Sequence, residues 1–361
     1  MNDGHSSEQQ PKVTFVSWAE YCSRSDAIAR ELGGCSHMIY WSRLGSNPAT
    51  VWLKYIGQTV RTLGLLFDHR PDVVFVMAPP VFAAVPVYLY GALTRTPFII
   101  DAHTAAFLHP RWTRFQWLQS FFARRAAATI VTNEYLARGI RSAGACSIIV
   151  RDVPVRFDAG EEFKVDEAFT VGVVCSFNDD EPIEEVLAAA AALPDVRFYI
   201  TGNPRYLESS LRKGLPPNAT LTGFLSDSAY GSLLARVNVV MTLTRRDHTM
   251  LRGAYEAVYQ GTPVIVSNWE LLRNAFDEGA IHVDNSADQI VAAVCEMRVN
   301  IGRYRVEVMR LRERKYSEWR DVRRAILTYV SSRCRRAGVL HSPKENNRGI
   351  TNICVSRSCE K

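Results

Sequence analysis

Three continuous apolar runs constrain the fold of this chain more than any other feature. They are "DVVFVMAPP" (72–80), "PFIIDAH" (97–103) and "ATIVTN" (128–133), each closed by turn residues. A strand that alternates apolar and polar residues can keep one face in water, whereas a strand without alternation must be covered on both. Such strands belong to a parallel sheet between two layers of helices, and the segments separating the runs have the length of helical crossovers. A β-rich run, "KVTFVSW" (12–18), precedes them, followed by "RSDAIARELGG", with Asp26 as a helix cap and Gly-Gly as a stop.

The rhythm breaks at "RDVPVRFDAGEEFKVDEA" (151–168), which is charged, turn-rich and without period. It restarts with "FTVGVVCSF" (169–177), a helix from Pro182 to Leu193, "VRFYITG" (196–202), "ATLTGFL" (219–225), "VNVVMTL" (237–243), "PVIVSN" (263–268) and "IHVDN" (281–285). A chain of 361 residues is too long for one ordinary core. The reading is α/β, with an N-terminal Rossmann-like domain over 12–155 and a second over 156–300. A basic helical segment over 301–336 is expected to cross back to the first domain. Residues 1–11 and 337–361 are polar, lack periodicity and are expected to be disordered.

The net charge of +6 is unevenly spread: between Arg303 and Arg336 twelve Lys/Arg face four Asp/Glu. An anionic membrane surface or a nucleic acid could answer that charge, and so could water on a solvated helix face. The eight cysteines form no CxxC pair and no zinc spacing, which fits reduced thiols in a cytosolic compartment. "MNDGHSSEQQPK" carries no apolar signal core. The run from Val73 to Leu93 has the length of a membrane span but holds Pro79, Pro80 and Pro86, and its first half reads as a buried strand. "RWTRFQWLQSFFARR" (111–125) interleaves aromatics with arginines, as a helix lying on an anionic bilayer would, or one packing its aromatics into the core. The expectation is a cytoplasmic protein, at most peripheral to the inner face of the plasma membrane.

Open parallel sheets bind ligands beyond the carboxyl ends of their strands. That singles out Ser17–Ser25, Ala78–Pro80, Asp101–Phe107, Asn178–Glu181, Gly202–Arg205 and Thr244–Arg252. The richest of these opens "TRRDHTMLRGAYEAVYQGTPVIVSN" (244–268), where a helix is expected from near Thr249. Its first turn offers free N–H groups and a positive dipole end to an anion. Arg245, Arg246 and Arg252 add charge suited to phosphate oxygens. Glu256, one turn past Arg252, could accept hydrogen bonds from paired sugar hydroxyls; the alternative is an internal Arg252–Glu256 ion pair.

"AYEAVYQGTPVIVSN" resembles the "EAMAxGxPVI" block of nucleotide-sugar glycosyltransferases with the two-domain GT-B architecture, family 4 in particular. The resemblance implies two parallel sheets facing a cleft, and gives Glu256 the ribose of the donor, with Gly261 and Pro263 as the supporting turn. His248, beside Asp247, stands where many members place a glutamate near the donor sugar. "SFNDDEPIEEVLAAAAAL" (176–193) is similar to a block of the β-mannosyltransferases that extend lipid-linked chitobiose. It makes Asp180 and Glu181 candidate donor contacts, or simply caps of the following helix. The same enzymes place a lysine where Arg252 falls, a diphosphate contact. "GNPRY" (202–206) matches the family's nucleotide-base turn, with Gly202 and Asn203 as candidates. "FIIDAHTAAF" (98–107) resembles the strand-then-His segment, implying that His103 faces the donor sugar while Asp101 orients it or acts as a base. In the first loop Glu20, Ser23, Arg24 and Ser25 could meet the acceptor or the diphosphate.

The resemblance therefore implies a hexosyltransferase moving sugar from a UDP- or GDP-linked donor to an acceptor hydroxyl. Its partners would be the donor, a sugar or lipid-linked acceptor such as a surface-polysaccharide precursor, and an anionic membrane, but no nucleic acid. It implies no metal and no other cofactor. Two alternatives remain open: an epimerase of the same architecture, and a non-catalytic scaffold that binds a partner.

Overall fold

The structure, a computed structural model, describes residues 11–41 and 50–338. Apart from Pro11, Ala337 and Gly338, the segments expected to be disordered lie outside the described residues. The chain divides into two compact units: the first holds residues up to Val153 together with those from Arg320, and the second Pro154–Trp319.

The first unit runs β1 (Val13–Ser17), α1 (Ser23–Glu31), β2 (Cys35–Met38), α2 (Val51–His69), β3 (Val73–Ala78), α3 (Ala84–Thr94) and β4 (Phe98–Ala102). Three short helices follow, α4 (Ala105–Leu108), α5 (Pro110–Thr113) and α6 (Gln116–Ala123), then β5 (Ala128–Val131), α7 (Glu134–Ser142) and β6 (Ser147–Ile149). The six strands lie in the order β2-β1-β3-β4-β5-β6, and every pair is parallel. Every residue of β1, β3, β4 and β5 is buried, as unalternating apolar runs demand. β2 reads "CSHM" and is largely accessible, an edge strand that carries no apolar signal.

The second unit runs β7 (Phe169–Val173), α8 (Ile183–Ala192), β8 (Val196–Thr201), α9 (Ser209–Lys213), β9 (Ala219–Gly223), α10 (Asp227–Arg236) and β10 (Val239–Thr242). It continues with α11 (Arg252–Gln260), β11 (Val264–Ser267), α12 (Glu270–Ala275), β12 (Ala280–Val283), α13 (Ala287–Val299) and α14 (Ile301–Arg336). Its strand order is β12-β11-β10-β7-β8-β9, again all parallel.

α14 contributes to both units. In the second, Val308 and Leu311 are fully buried, and Gly279 (φ 64°) comes so close that a Cβ there would stand 2.6 Å from the Val308 backbone. In the first, Arg323 donates to the Glu31 carbonyl, the Tyr329 hydroxyl to the Ala127 carbonyl, and the Cys334 thiol to the Asp72 carbonyl at 3.2 Å.

The run from Val73 to Leu93 is β3, a Pro-Pro corner and α3, in line with the buried strand read in its first half, and no described helix is long and apolar enough to cross a membrane. One expectation changes. Residues 111–125 form two helices rather than one, because Phe115 leaves helical geometry to pack its ring 5.1 Å from that of Phe82.

One side chain ties three elements of the second unit together. Asn218 Nδ2 lies 2.9, 2.8 and 2.8 Å from the carbonyls of Ala190, Leu193 and Val196, where α8 ends and β8 begins. Asn218→Ala takes this shared donor away, leaving the Ala190 and Leu193 carbonyls only the backbone amides of Leu193 and Val196, and should lower stability by about 1–3 kcal/mol, read by urea denaturation.

Candidate active site

In the second sheet the chain leaves β7 toward β8 on one side and reaches β10 on the other. Loops leaving the carboxyl ends of β7 and β10 therefore diverge, and the crevice between them is where such sheets hold ligands. The bases of the two loops are fastened together. Thr244 donates its hydroxyl to Asp180 Oδ2 at 2.7 Å, and the Arg245 amide donates to the Asp180 carbonyl at 2.6 Å. Arg245 Nη2 reaches both oxygens of Glu185, at 2.6 and 2.7 Å, and Arg246 Nη1 lies 3.4 Å from Asp180 Oδ1. The Thr244 carbonyl in turn accepts from Trp269 Nε1 at 2.9 Å and Asn285 Nδ2 at 3.1 Å. Asp180 and Arg245 are thus engaged in holding the loops, while Arg246 is half exposed and only loosely paired.

The Glu181 carboxylate folds back on its own loop, accepting from the amides of Ser176 (2.9 Å) and Asn178 (2.7 Å). Burial pushes its pKa up, and those amides pull against it. Gly202 (φ 100°) lies so close to this loop that a Cβ would stand 2.6 Å from the Cys175 carbonyl. Asn203 closes the next turn by accepting from the Arg205 amide at 3.1 Å. Cys175 is no nucleophile: burial first, then Glu181, pushes its thiol up to about 12.

α11 begins at Arg252 rather than near Thr249. His248 has a left-handed backbone (φ 58°), which a helix cannot contain, and Asp247 Oδ1 accepts from the His248 amide at 2.6 Å. Both side chains are partly exposed in the resulting turn. Leu251 gives α11 no side-chain cap, so its first-turn amides face the loop. Gly253 lets this turn press on the β7 loop, since a Cβ would meet Val174 Cγ1 at 2.7 Å.

One turn into α11, Glu256 is buried with both oxygens engaged. Arg252 Nε is 2.9 Å from Oε1, and the Tyr230 hydroxyl, arriving from α10, donates to Oε2 at 2.8 Å. Burial and the neighbouring Glu256 carboxylate drive the Tyr230 pKa well up, so Tyr230 remains a hydroxyl donor. Of the two sequence readings, the structure shows the internal Arg252–Glu256 ion pair.

In the first unit, β4 delivers Asp101 and, just past its end, His103, whose Nε2 stands 3.3 Å from Asp101 Oδ2, an ion-pair distance rather than an aligned hydrogen bond. Asp101 is fully buried, and Arg24 holds it from α1, with Nε 3.2 Å from Oδ2. Arg24 also donates to the Val150 carbonyl at 2.9 Å and lies 3.8 Å from Asp152. Burial raises the Asp101 pKa, but Arg24 and His103 outweigh it and lower the carboxyl to about 2. The Asp101 carboxylate thus has Arg24 on one side and His103 on the other, and the His103 side chain is 30% exposed. Arg24, read from sequence as a possible acceptor or diphosphate contact, is buried in this network instead.

Sequence reasoning misses Tyr230 and Glu185, and it marks Thr244 only as the start of a loop. Tyr230 lies 26 residues before Glu256 on another helix, and no spacing rule links them. The clamping role of Thr244 carries one signal, that it is the first polar residue after an apolar strand and its closing leucine.

Profile comparison matches residues 13–154 to the glycosyl transferase 4-like domain and residues 168–300 to glycosyl transferases group 1. No curated protein matches the chain. Among solved structures, HepE from Anabaena, crystallised with UDP and glucose, superposes with a TM-score of 0.66 at 13% identity, covering 89% of this chain and all of HepE. Sucrose-phosphate synthase from Thermosynechococcus elongatus gives 0.65 at 14% identity over 89% of this chain and 98% of the synthase. A glycosyltransferase from Rickettsia africae gives 0.61 at 11% identity over 90% and 98%. At these identities the structures speak for the fold.

The Arg24–Asp101 pair sets an acid limb. The folded pKa of Asp101 lies below its unfolded value of about 4, so its contribution is complete above that value and is lost as pH falls toward about 2. Arg24→Ala strands a buried carboxylate and should cost about 3–5 kcal/mol at neutral pH. It should also flatten the loss of stability between those two pH values, measured by denaturation across an acid series.

Proposed function

The chain belongs to the GT-B glycosyltransferases, a 4-like domain followed by a group 1 domain, and from that premise we propose that it moves a hexose from a UDP- or GDP-hexose to an acceptor hydroxyl. The observation that carries this reading is Glu256, a buried carboxylate one turn inside α11, oriented by Arg252 and Tyr230. Donor ribose hydroxyls would replace those two partners on the carboxylate. Arg252, released by that exchange, would turn to the diphosphate with Arg246 and the first-turn amides of α11, without a metal ion or other cofactor. Asp247 and His248, exposed in the turn before α11, would stand nearest the donor sugar on this loop. On the first unit His103, steadied by Asp101, would stabilise the charge that develops as the bond to the diphosphate breaks.

The test is thermal shift against a panel of UDP- and GDP-hexoses. The native chain should gain stability with one nucleotide series, and Glu256→Ala should abolish the gain. A shift of equal size in the variant would remove Glu256 from the ribose site.

A lipid-linked or polysaccharide-precursor acceptor, and with it peripheral contact with an anionic membrane, finds support in α2. This helix has its polar stripe inside: Gln58 donates to the Ile39 carbonyl at 2.6 Å, Thr62 accepts from Trp18 Nε1 at 3.0 Å, and Lys54 lies 4.1 Å above the Tyr40 ring. Its outward stripe is Trp52, Leu53, Ile56, Val60 and Phe67, and the adjoining α3 adds Leu89 and Leu93, all exposed. Arg61 on α2 and Arg95 just past α3 are exposed as well, which suits an anionic bilayer. The 111–125 segment offers less, for Phe122 is buried, Phe115 and Phe121 pack against the core, and Trp117 is the aromatic left in water. Ile56→Glu with Leu93→Glu should reduce sedimentation with vesicles containing phosphatidylglycerol at least about tenfold, the loss expected from two charges at an apolar contact. Donor-induced thermal shift should be unchanged, and equal sedimentation would exclude this face.

A further inference from the structure

At the opposite edge of the first sheet lies a second concentration of positive charge. Pro97, Ala127 and Ala145 precede β4, β5 and β6, and beside them opens a cavity of about 450 Å³ lined by Arg124, Arg125, Arg333 and Arg336. Asp101 and His103 lie at the other end of β4, five residues long and so about 15 Å away. The cavity belongs wholly to the first unit and takes no part in the site described above.

No acidic residue lines it, and none of the four arginines has a carboxylate within ion-pair distance among the described residues. Some arginines elsewhere in the chain do find one, as Arg236 with Glu162, Arg298 with Asp195 and Arg314 with Asp277, and others such as Arg305 and Arg310 do not; what sets these four apart is that they share one concavity. Three of the four are nonetheless held. Arg125 lies 3.6 Å over the Phe121 ring and donates to the Phe121 carbonyl at 3.1 Å. Arg333 donates to the Tyr329 hydroxyl through Nε at 3.1 Å and Nη2 at 2.9 Å, and that hydroxyl is itself anchored on the Ala127 carbonyl. Arg124 reaches the Ala143 carbonyl through Nη1 at 3.4 Å. Each guanidinium has five donors, so most remain open to the cavity.

Helix dipoles account for part of this arrangement, since α6 and α14 both end here and cations favour such ends. Two helix ends supply roughly one negative charge together, against four positive ones. The remainder repels itself, and a concave surface of one sign focuses its field on an entering counter-ion. Guanidinium forks match phosphoryl oxygens, and the volume is that of a small-ligand pocket.

We propose that this cavity is a second ligand site, separate from the donor site, that takes a phosphoryl group carrying two or more negative charges. The group can belong to a lipid headgroup or to a soluble phosphorylated compound. The test uses the full chain with Arg246→Gln/Arg252→Gln, which takes away the two guanidiniums assigned to the diphosphate at α11, with and without Arg124→Gln/Arg336→Gln. Calorimetry with inorganic pyrophosphate reports the soluble source, and sedimentation with phosphatidylcholine vesicles containing phosphatidic acid reports the lipid source. Binding in either arm that weakens at least about tenfold on losing the two guanidiniums supports the site, and the arm that responds names the source. An unchanged melting temperature and circular dichroism spectrum show that the variant folds. Binding in neither arm, or binding that the substitutions leave unchanged, overturns the proposal.

Discussion

A parallel sheet must have both faces covered, and that requirement governs everything else in this molecule. Helical crossovers bury the strands completely, so β1, β3, β4 and β5 offer no accessible side chain along their length. Chemistry is left to the strand ends. The polar residues gathered there, Asp101 and His103 in one unit and Thr244 to Glu256 in the other, stand where each crossover starts. Because the backbone loses its ladder at the same points, side chains must replace it. Thr244, Asp180 and Glu181 do so, holding the loops after β7 and β10 by their amides, hydroxyls and carboxylates.

Both units bury one carboxylate near such a strand end and set it with an arginine. Asp101 is held by Arg24, and Glu256 by Arg252 with the Tyr230 hydroxyl as second donor. The settings differ in consequence. Arg24 is itself buried and further tied to Val150 and Asp152, so Asp101 is fixed in place. Arg252 keeps a quarter of its side chain exposed and stands at the first turn of a helix.

The strands that sequence reveals are those buried on both faces, because only they lose the alternation. β2 escapes detection because an edge strand reading "CSHM" has no apolar requirement to advertise. The start of α11 is misplaced because periodicity places helices but backbone handedness at one residue, His248, ends the turn before it. Glu256 was legible through its block, and its ion pair through spacing alone. Tyr230 and Arg24 were not, since each reaches its carboxylate from a different element, at 26 and 77 residues' separation. Contacts of that kind are set by how helices pack on the sheet, which local pattern does not record.

The uneven charge of the chain resolves along α14. Part of its first half is paired in place: Arg303 with Glu296 and Glu307, Arg314 with Asp277 and Glu278, and Lys315 with Glu318. Past Tyr329 no acidic residue occurs on the helix, and Arg333 and Arg336 meet Arg124 and Arg125 instead of carboxylates. Part of the surplus therefore gathers at one end, beside the amino ends of β4, β5 and β6. A merely solvated face would spread its arginines to lower their repulsion. Converging four of them in one concavity, two pinned against aromatic rings, raises that repulsion, which a bound anion would relieve.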